Sequence, residues 1–323
     1  MARNTVLQTK KQNKEKGSWF KKFCHRTWTN RELHLMMLLP LIYMILFEFM
    51  PMFGLQIAFK NYRPRAGILG SEWVGFKNFE KFFSNYRWKS IVLNTLEISL
   101  YSIFVGFPIP IFLALCIHVK RGKVLKKLTQ NVSYIPHFIS LVVMVGIINQ
   151  VFNPYGGLID SIFRLFGSRL NTDIRANPDA FRHLYVWSGV WQNMGWSTII
   201  YLSALSGVSQ DLHEAAKIDG ASRLRRVFAV DLPAILPTIS IMLILRFGNI
   251  LAVGRDKVYL MQNSMNEMAS EVISTYVYKN GLAQGQYSYG TAVSLMNTVI
   301  NTLMLLLANF ITNKISDGER GMF

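Results

Sequence analysis

Charged residues and cysteines are scarce in this chain of 323 residues. Charged side chains make up 16% of the sequence, whereas soluble domains carry about 25%. The two cysteines, Cys24 and Cys116, are too few for a disulfide framework or a four-cysteine zinc site. Because 51% of the residues are hydrophobic, the composition favours a membrane protein over a soluble globular domain.

Sequence motifs for phosphate binding and for a zinc-binding helix are also missing. The phosphate-binding pattern Gly-x-x-x-x-Gly-Lys-Ser/Thr is absent, since Ile117 stands where a first glycine would precede Gly122 and Lys123. The segment from His213 to Lys217 resembles a His-Glu-x-x-His zinc helix, but Lys217 replaces the second histidine. The remaining histidines share no ligand spacing and are interpreted as interfacial or structural: His25, His34, His118, His137 and His183. We expect no catalytic residue and no metal site in this chain.

Long apolar runs, by contrast, are abundant. A helix rises about 1.5 Å per residue, so about 20 apolar residues cross about 30 Å of hydrocarbon. Six runs meet this length, at residues 35–53, 91–119, 132–152, 184–208, 234–253 and 291–311. The second is too long for one straight crossing, and Pro108 and Pro110 predict a kink within it. The sequence therefore predicts an all-α membrane protein with six transmembrane helices.

The distribution of basic residues predicts the orientation. The chain has 35 Lys and Arg against 18 Asp and Glu, a net charge of +17, which on one soluble face would indicate a nucleic-acid partner. Here the bases lie between the apolar runs, so membrane is favoured and nucleic acid is not. Twenty bases fall on the side of the N-terminus, fourteen on the other side, and Arg246 lies within the fifth run. Both termini are therefore predicted to be cytoplasmic.

The apolar runs and the basic segments divide the chain into three regions. Residues 1–34 form a basic tail, in which aromatic and basic residues between Ser18 and Trp28 predict an interfacial amphipathic helix. Residues 35–312 form the membrane domain, with a cytoplasmic loop at 209–233. Residues 313–323 form a cytoplasmic tail.

The loop at 209–233 contains a short predicted helix. Asp211 is expected to cap its start and Glu214 to reach back, as in a capping box. Gly220 is a natural stop, because glycine tolerates the left-handed conformation that ends helices. Spacing alone leaves open whether this helix docks a partner or is an ordinary solvated connection.

The same residues carry a resemblance to a known family. Glu-Ala-Ala-Lys-Ile-Asp-Gly-Ala at 214–221, followed by Leu232-Pro233 and Pro237, resembles the signature loop of permease subunits of binding-protein-dependent (type I) ABC importers. The resemblance extends from about residue 35 to the C-terminus, and residues 271–278 are similar to the oligosaccharide-uptake subfamily. It implies the type I ABC importer transmembrane-domain fold, with the loop as a coupling helix. The implied ATPase-coupling residues are Glu214, Ala215, Ala216, Asp219 and Gly220.

The resemblance also implies the partners. A second, related permease subunit would complete the pore as a heterodimer, two cytoplasmic ATPase domains would bind ATP and Mg²⁺, and an extracytoplasmic solute-binding protein would deliver a carbohydrate. The chain itself would bind no cofactor and would span the lipid of a bacterial cell membrane several times.

Polar residues inside the apolar runs are candidates for the substrate path, because they are costly in hydrocarbon and normally face a cavity or the bundle interior. These are Trp187, Trp191, Gln192, Asn193, Trp196, Arg246, Asn249, Asn297 and Asn301. Indoles stack on sugar rings and amides bind hydroxyls, but aromatic belts and helix–helix hydrogen bonds use the same residues. Arg246 could pair with Glu48 or Glu97, bind an acidic sugar or face the partner subunit, and a structural ion pair is favoured over contact with the sugar.

Two alternatives remain open. One is an ABC permease for a non-sugar solute. The other is an ion-coupled secondary transporter, which would not need a docking loop.

Overall fold

The computed structural model describes residues 30–120, 122–169 and 172–315. The predicted interfacial helix at 18–28 lies outside these residues, as does most of the predicted C-terminal tail. The chain divides into two units, Met1–Gln56 and Ile57–Phe323, and each is described by itself.

The described residues are almost entirely helical. The α-helices are α1 Arg31–Met44, α2 Met50–Met52, α3 Gly67–Gly70, α4 Lys77–Phe83, α5 Trp88–Gly106, α6 Pro108–Val119, α7 Lys123–Tyr134, α8 Leu141–Val151, α9 Leu158–Leu165, α10 Pro178–Ser206, α11 Gln210–Ile218, α12 Arg223–Arg226, α13 Leu232–Phe247, α14 Arg255–Met261, α15 Glu267–Ser270, α16 Ile273–Val277 and α17 Tyr287–Ile315. Short 3₁₀ segments lie at Phe53–Phe59 and Ile135–Phe138, and π-helical turns at Ile45–Phe49, Val227–Asp231 and Tyr278–Ala283. Strands β1 Lys60–Asn61 and β2 Glu72–Trp73 pair antiparallel.

Within the described residues, four helical segments are long and apolar enough to cross a membrane. They are Arg31–Phe59, Trp88–Val119, Arg223–Phe247 and Tyr287–Lys314. A bent pair, Lys123–Phe138 with Leu141–Val151, would make a fifth. The all-helical prediction is confirmed. Helix α10 covers the predicted fourth span with 29 residues, but its many polar residues keep it outside the apolar set.

The third predicted span is not one continuous helix. Its two halves are bent by 98°, and the break follows Pro136, which has no backbone N–H to donate. Ser140 then starts α8, its hydroxyl accepting a hydrogen bond from Val143 N at 3.3 Å. A kink was predicted only for the second run, so the bend at Pro136 within the predicted span at 132–152 was missed. At the predicted kink, α5 ends at Gly106 and α6 begins at Pro108.

Three buried apolar clusters lie among the described residues of the second unit. One joins α5, α8, α10 and α14 around Ile98 and Phe181, a second surrounds Ile91 and Tyr276, and a third joins α6, α10 and α13 around Tyr201. Helices α7 and α10 approach so closely at Gly195 that a Cβ there would collide with the Ser133 backbone. This packing fixes α10 at the centre of the unit.

The first unit shows the opposite pattern of burial. Helix α1 buries none of its residues, and apolar side chains such as Leu35 and Leu39 are about three-quarters exposed (75% and 76%). Exposed apolar area in water costs about 25 cal/mol per Å². Such a helix requires an apolar environment, which lipid supplies.

Candidate functional site

Helix α11 begins two residues earlier than the sequence suggests. Ser209 is its N-cap, and the Ser209 hydroxyl accepts a hydrogen bond from Asp211 N at 3.2 Å. The prediction that Asp211 caps the helix was therefore wrong. Serine and aspartate are comparable caps, so composition did not decide between two neighbouring candidates.

The end of α11 follows the prediction. Gly220 has φ +74°, in the left-handed region that glycine tolerates best. Ala221 N donates to Ala216 O at 2.9 Å and Gly220 N to Lys217 O at 3.1 Å. This pair of bonds is a Schellman motif, which satisfies two carbonyl groups at the helix end.

The predicted coupling residues lie on the surface of this helix. Glu214, Ala215, Asp219 and Gly220 are exposed and Ala216 is half-buried. Neither carboxylate forms an ion pair with any residue in the described part of the chain. Two apolar neighbours are also exposed, Leu212 at 54% and Ile218 at 87%. The helix thus presents free charge and apolar area to its surroundings.

The inner face of α11 is tied to the bundle by a contact that the sequence did not reveal. His213 Nε2 lies 3.1 Å from Asp231 Oδ1, and His118 Nε2 lies 3.6 Å from the same oxygen. The sequence spacing of the histidines gave no sign of this contact, because the fold brings together residues separated by up to 113 positions. A cavity of about 230 Å³ opens beside the three side chains.

A larger cavity, of about 600 Å³, lies between α5, α10, the end of α13 and α14. Four of the nine predicted substrate-path residues line it: Gln192, Asn193, Arg246 and Asn249. The Gln192 side-chain amide donates to Ile139 O at 2.8 Å and that of Asn193 to Gly189 O at 3.0 Å. Their orientation is therefore fixed by backbone carbonyls.

The three tryptophans of α10 do not line this cavity. Trp187 Nε1 donates to Tyr101 Oη at 2.9 Å, and Trp196 stacks on the His137 ring with a centroid distance of 4.5 Å. Trp191 is 42% exposed. These contacts resemble helix-surface packing more than a sugar-stacking platform.

The two predicted asparagines of α17 also lie outside the cavity lining. Asn301 Oδ1 accepts a hydrogen bond from Leu251 N at 2.9 Å, which holds the segment after α13 against α17. Asn297 Oδ1 is buried and forms no hydrogen bond with the described residues.

The favoured pairing of Arg246 with Glu97 is wrong. Glu97 binds Arg182 on α10 instead, with Arg182 Nη2 at 2.5 Å from Glu97 Oε2. Glu48 belongs to the first unit. Arg246 forms no ion pair within residues 57–315 as described, and it lines the cavity. Its charge is therefore available to a ligand.

Two further bases line the cavity and were not among the predicted residues. Lys257 is only 8% exposed, and its Nζ donates to Tyr185 O at 2.6 Å. Gly189 leaves room for it, since a Cβ there would lie 3.1 Å from Lys257 Nζ. Burial lowers the pKa of Lys257 to about 8. Arg255 pairs with Asp256 at 2.7 Å. With Arg246, the cavity lining carries an excess of positive charge.

Glu271, in the segment that resembles the oligosaccharide-uptake subfamily, belongs to a separate ion-pair cluster. It is 2% exposed and binds Arg87 at 2.6 Å and Lys279 at 3.2 Å. Lys279 also binds Glu267 at 2.8 Å, and this hydrogen bond lowers the pKa of the Glu267 carboxyl. The cluster connects the start of α5 to the segments around α15 and α16, so the role of Glu271 is to hold these elements together.

Apolar helices of membrane-spanning length, a polar cavity between helices and a protruding helix in one loop together define a membrane transport protein. Residues 106–317 match the family model described as the inner membrane component of binding-protein-dependent transport systems. The chain belongs to this family, whose members are transport permeases rather than enzymes.

Curated relatives and solved structures agree with that family. The chain is 42% identical to the polygalacturonan/rhamnogalacturonan transport system permease protein YteP of Bacillus subtilis, over 90% of both chains. It is 38% identical to Protein LplB of the same organism, over 95% of this chain and 94% of that one. A solved bacterial ABC transporter involved in import of the acidic polysaccharide alginate has a chain with TM-score 0.84 and 32% identity, covering 91% of this chain and 99% of that chain. The alginate transporter has also been solved in complex with its pentasaccharide-bound periplasmic protein; its matching chain has TM-score 0.83 and 33% identity, covering 92% of this chain and 98% of that chain.

Proposed function

We propose that this chain forms half of the translocation pathway of an ATP-driven importer for an acidic oligosaccharide. The observation that carries the proposal is the cavity of about 600 Å³ lined by Arg246, Lys257, Gln192 and Asn249. Amide groups bind sugar hydroxyls, and a guanidinium group binds a carboxylate with paired hydrogen bonds. The names of the relatives support the same class of substrate, since polygalacturonan and alginate are acidic polysaccharides.

The proposed assembly has five further parts. A second, related permease subunit completes the pore, two cytoplasmic ATPase domains bind ATP and Mg²⁺, an extracytoplasmic binding protein delivers the sugar, and lipid surrounds the bundle. The exposed apolar surface of α1 supports a lipid or permease partner for that helix. Hydrolysis of ATP is assigned to the ATPase domains, because this sequence has no phosphate-binding loop.

The proposed topology has six spans with both termini in the cytoplasm. Helix α10 adds a sixth crossing to the four long apolar segments and the bent pair, and its residues Gln192, Asn193 and Ser197 line the cavity. The excess of bases in the segments on the side of the N-terminus supports the orientation. In this orientation α11 is cytoplasmic, within reach of the ATPase.

The proposed coupling contact is the exposed face of α11. Glu214 and Asp219 supply charge, Ala215 and Ala216 allow close approach, and Gly220 forms the turn that ends the helix. ATP-driven closure of the ATPase domains would move the two coupling helices together and open the cavity outward. Release of the hydrolysis products would return the cavity to the inward-facing state.

The test is uptake by proteoliposomes that contain the whole importer with its binding protein. The probes are an oligogalacturonide and the same oligosaccharide with its carboxyl groups reduced to alcohols. We expect ATP-dependent uptake of the acidic probe and much weaker uptake of the reduced one. Equal uptake of both would exclude charge recognition, and uptake driven by an ion gradient without ATP would favour a secondary transporter.

A further inference from the structure

Three side chains with metal-ligating atoms converge at the base of α11. His118 lies near the end of α6, His213 on α11, and Asp231 at the end of the π-helical turn that leads into α13. One ligand atom from each lies within 4.8 Å of the other two. Three separate elements therefore supply one cluster, and no sequence motif joins them.

The two distances from the histidine nitrogens to the carboxylate are close to those of a tetrahedral metal site. Nitrogen and oxygen ligands lie about 2.0–2.2 Å from Zn²⁺, so two ligands of a tetrahedral ion are about 3.3 Å apart. The two histidine nitrogens are 3.1 and 3.6 Å from Asp231 Oδ1. One distance is shorter than about 3.3 Å and the other is longer, so small side-chain adjustments would admit an ion.

One oxygen of the carboxylate also lacks the hydrogen bond that a buried acceptor requires. Asp231 is 1% exposed, and its Oδ1 is buried and forms no hydrogen bond with the described residues. The two imidazole nitrogens face this oxygen at ion-pair distances without the alignment of a hydrogen bond. A buried charge that is not paired and hydrogen-bonded is strongly destabilising. A cation between the three atoms would satisfy all of them.

The ligand types and the neighbouring charges indicate which metal ion the cluster would bind. Two imidazoles and one carboxylate suit Zn²⁺ and similar transition ions, whereas Mg²⁺ and Ca²⁺ prefer oxygen ligands. Arg223 and Arg226 border the cavity of about 230 Å³ beside the cluster. Their positive charge disfavours a weakly held hard cation and favours an anionic fourth ligand, such as hydroxide, on the open side.

We propose that His118, His213 and Asp231 form a zinc site that fastens α11 to α6 and α13. Through this site a displacement of α11 would be transmitted to two helices of the bundle, one of which, α13, carries the cavity residue Arg246 in its last turn. This consequence rests on the proposed coupling role of α11, but the metal site itself does not.

The first experiment measures metal content and not transport. The purified importer complex in lipid nanodiscs is dialysed against Zn²⁺, and bound zinc is counted by mass spectrometry. Co²⁺ in place of Zn²⁺ reports tetrahedral coordination through its visible absorption. We expect one zinc per copy of this chain and at least about tenfold weaker binding in His118→Gln, His213→Gln and Asp231→Asn, since each removes one ligand. His34→Gln, an exposed histidine, and Cys116→Ser are the matched controls and should bind zinc normally.

A second variant keeps the test decisive if a ligand substitution impairs folding. His213→Cys preserves a zinc ligand and should bind Zn²⁺ and, with Co²⁺, show a thiolate charge-transfer band. Zinc should raise the melting temperature of the wild-type complex and of His213→Cys but not of His213→Gln. Zinc binding that persists in all three ligand variants, or no zinc binding by the wild type, would overturn the proposal and leave a histidine–aspartate ion pair. If zinc binds as expected while uptake of the acidic probe fails, the metal site stands and the proposed function falls.

Discussion

The loop around α11 and the cavity between α5, α10, α13 and α14 use polar residues in opposite ways. On α11 the carboxylates of Glu214 and Asp219 are exposed and form no ion pair with described residues. In the cavity, Gln192, Asn193 and Lys257 are held by backbone carbonyls. A surface with free charge and exposed apolar side chains suits a large partner, whereas oriented polar groups around an enclosed volume suit a small ligand.

The largest effect is expected for Gly220→Val. A β-branched residue at φ +74° is strained by about 1–2 kcal/mol or more, and the branched side chain obstructs the proposed docking face. We expect loss of uptake and of the ATPase stimulation by loaded binding protein. Gly167→Val is the matched control, because Gly167 has φ +72° but lies after α9, away from the loop. Equal loss in both variants would mean that backbone strain alone explains the effect.

Charge reversal at Glu214 should uncouple transport while leaving the fold intact. Glu214→Arg places a positive charge where the proposed contact uses a negative one, and a mismatch of this kind costs several kcal/mol in an interface. We expect ATP-dependent uptake to fall by at least about tenfold, with an unchanged melting temperature. Asp211→Arg, on the same helix, should have a smaller effect. Stimulation of the ATPase that survives in Glu214→Arg would remove this residue from the contact.

Removing the charge of Arg246 should change only the binding of the acidic probe in the cavity. Arg246→Met is expected to raise the KM for the acidic probe by about 10- to 100-fold, because a hydrogen bond to a charged group contributes about 1.5–3 kcal/mol. Uptake of the carboxyl-reduced probe, measured in the same proteoliposomes, should not change. If both probes lose uptake equally, Arg246 stabilises the bundle and does not bind substrate.

Both regions could be predicted from the sequence only in part. The turn at Gly220 and the polar character of the fourth and fifth runs follow from local chemistry. The charge balance of the cavity does not, because Lys257 lies outside the apolar runs and reaches the cavity only through the packing of α14 on α10. The partner of Glu97 and the cluster of His118, His213 and Asp231 likewise depend on contacts between distant segments.

The pH dependence of uptake should report on Lys257. Its pKa of about 8 means that the side chain is charged below pH 8 and loses its charge as the pH rises through that value. Uptake of the acidic probe should therefore fall severalfold between about pH 7 and pH 9. Lys257→Arg, which stays charged, should remove this decrease. A decrease that persists in Lys257→Arg would point to another group.

The smallest effect is expected at Trp187. Trp187→Phe removes the hydrogen bond to Tyr101 but no part of the cavity lining, so a neutral hydrogen bond of about 0.5–1.5 kcal/mol is lost from the fold. We expect a lower melting temperature and an unchanged KM for the acidic probe. A raised KM with unchanged stability would return the tryptophans to the substrate path.

The reactivity of a cysteine placed on α11 tests whether the exposed face of this helix docks a large partner. In a chain with Cys24 and Cys116 replaced by serine, Ala215→Cys is treated with a water-soluble thiol reagent and with a short bifunctional cross-linker, in the complete importer and in the permease pair alone. The account predicts protection of this cysteine in the complete importer and a cross-link to the ATPase. Equal labelling in both preparations, with and without ATP, and no cross-link would contradict it.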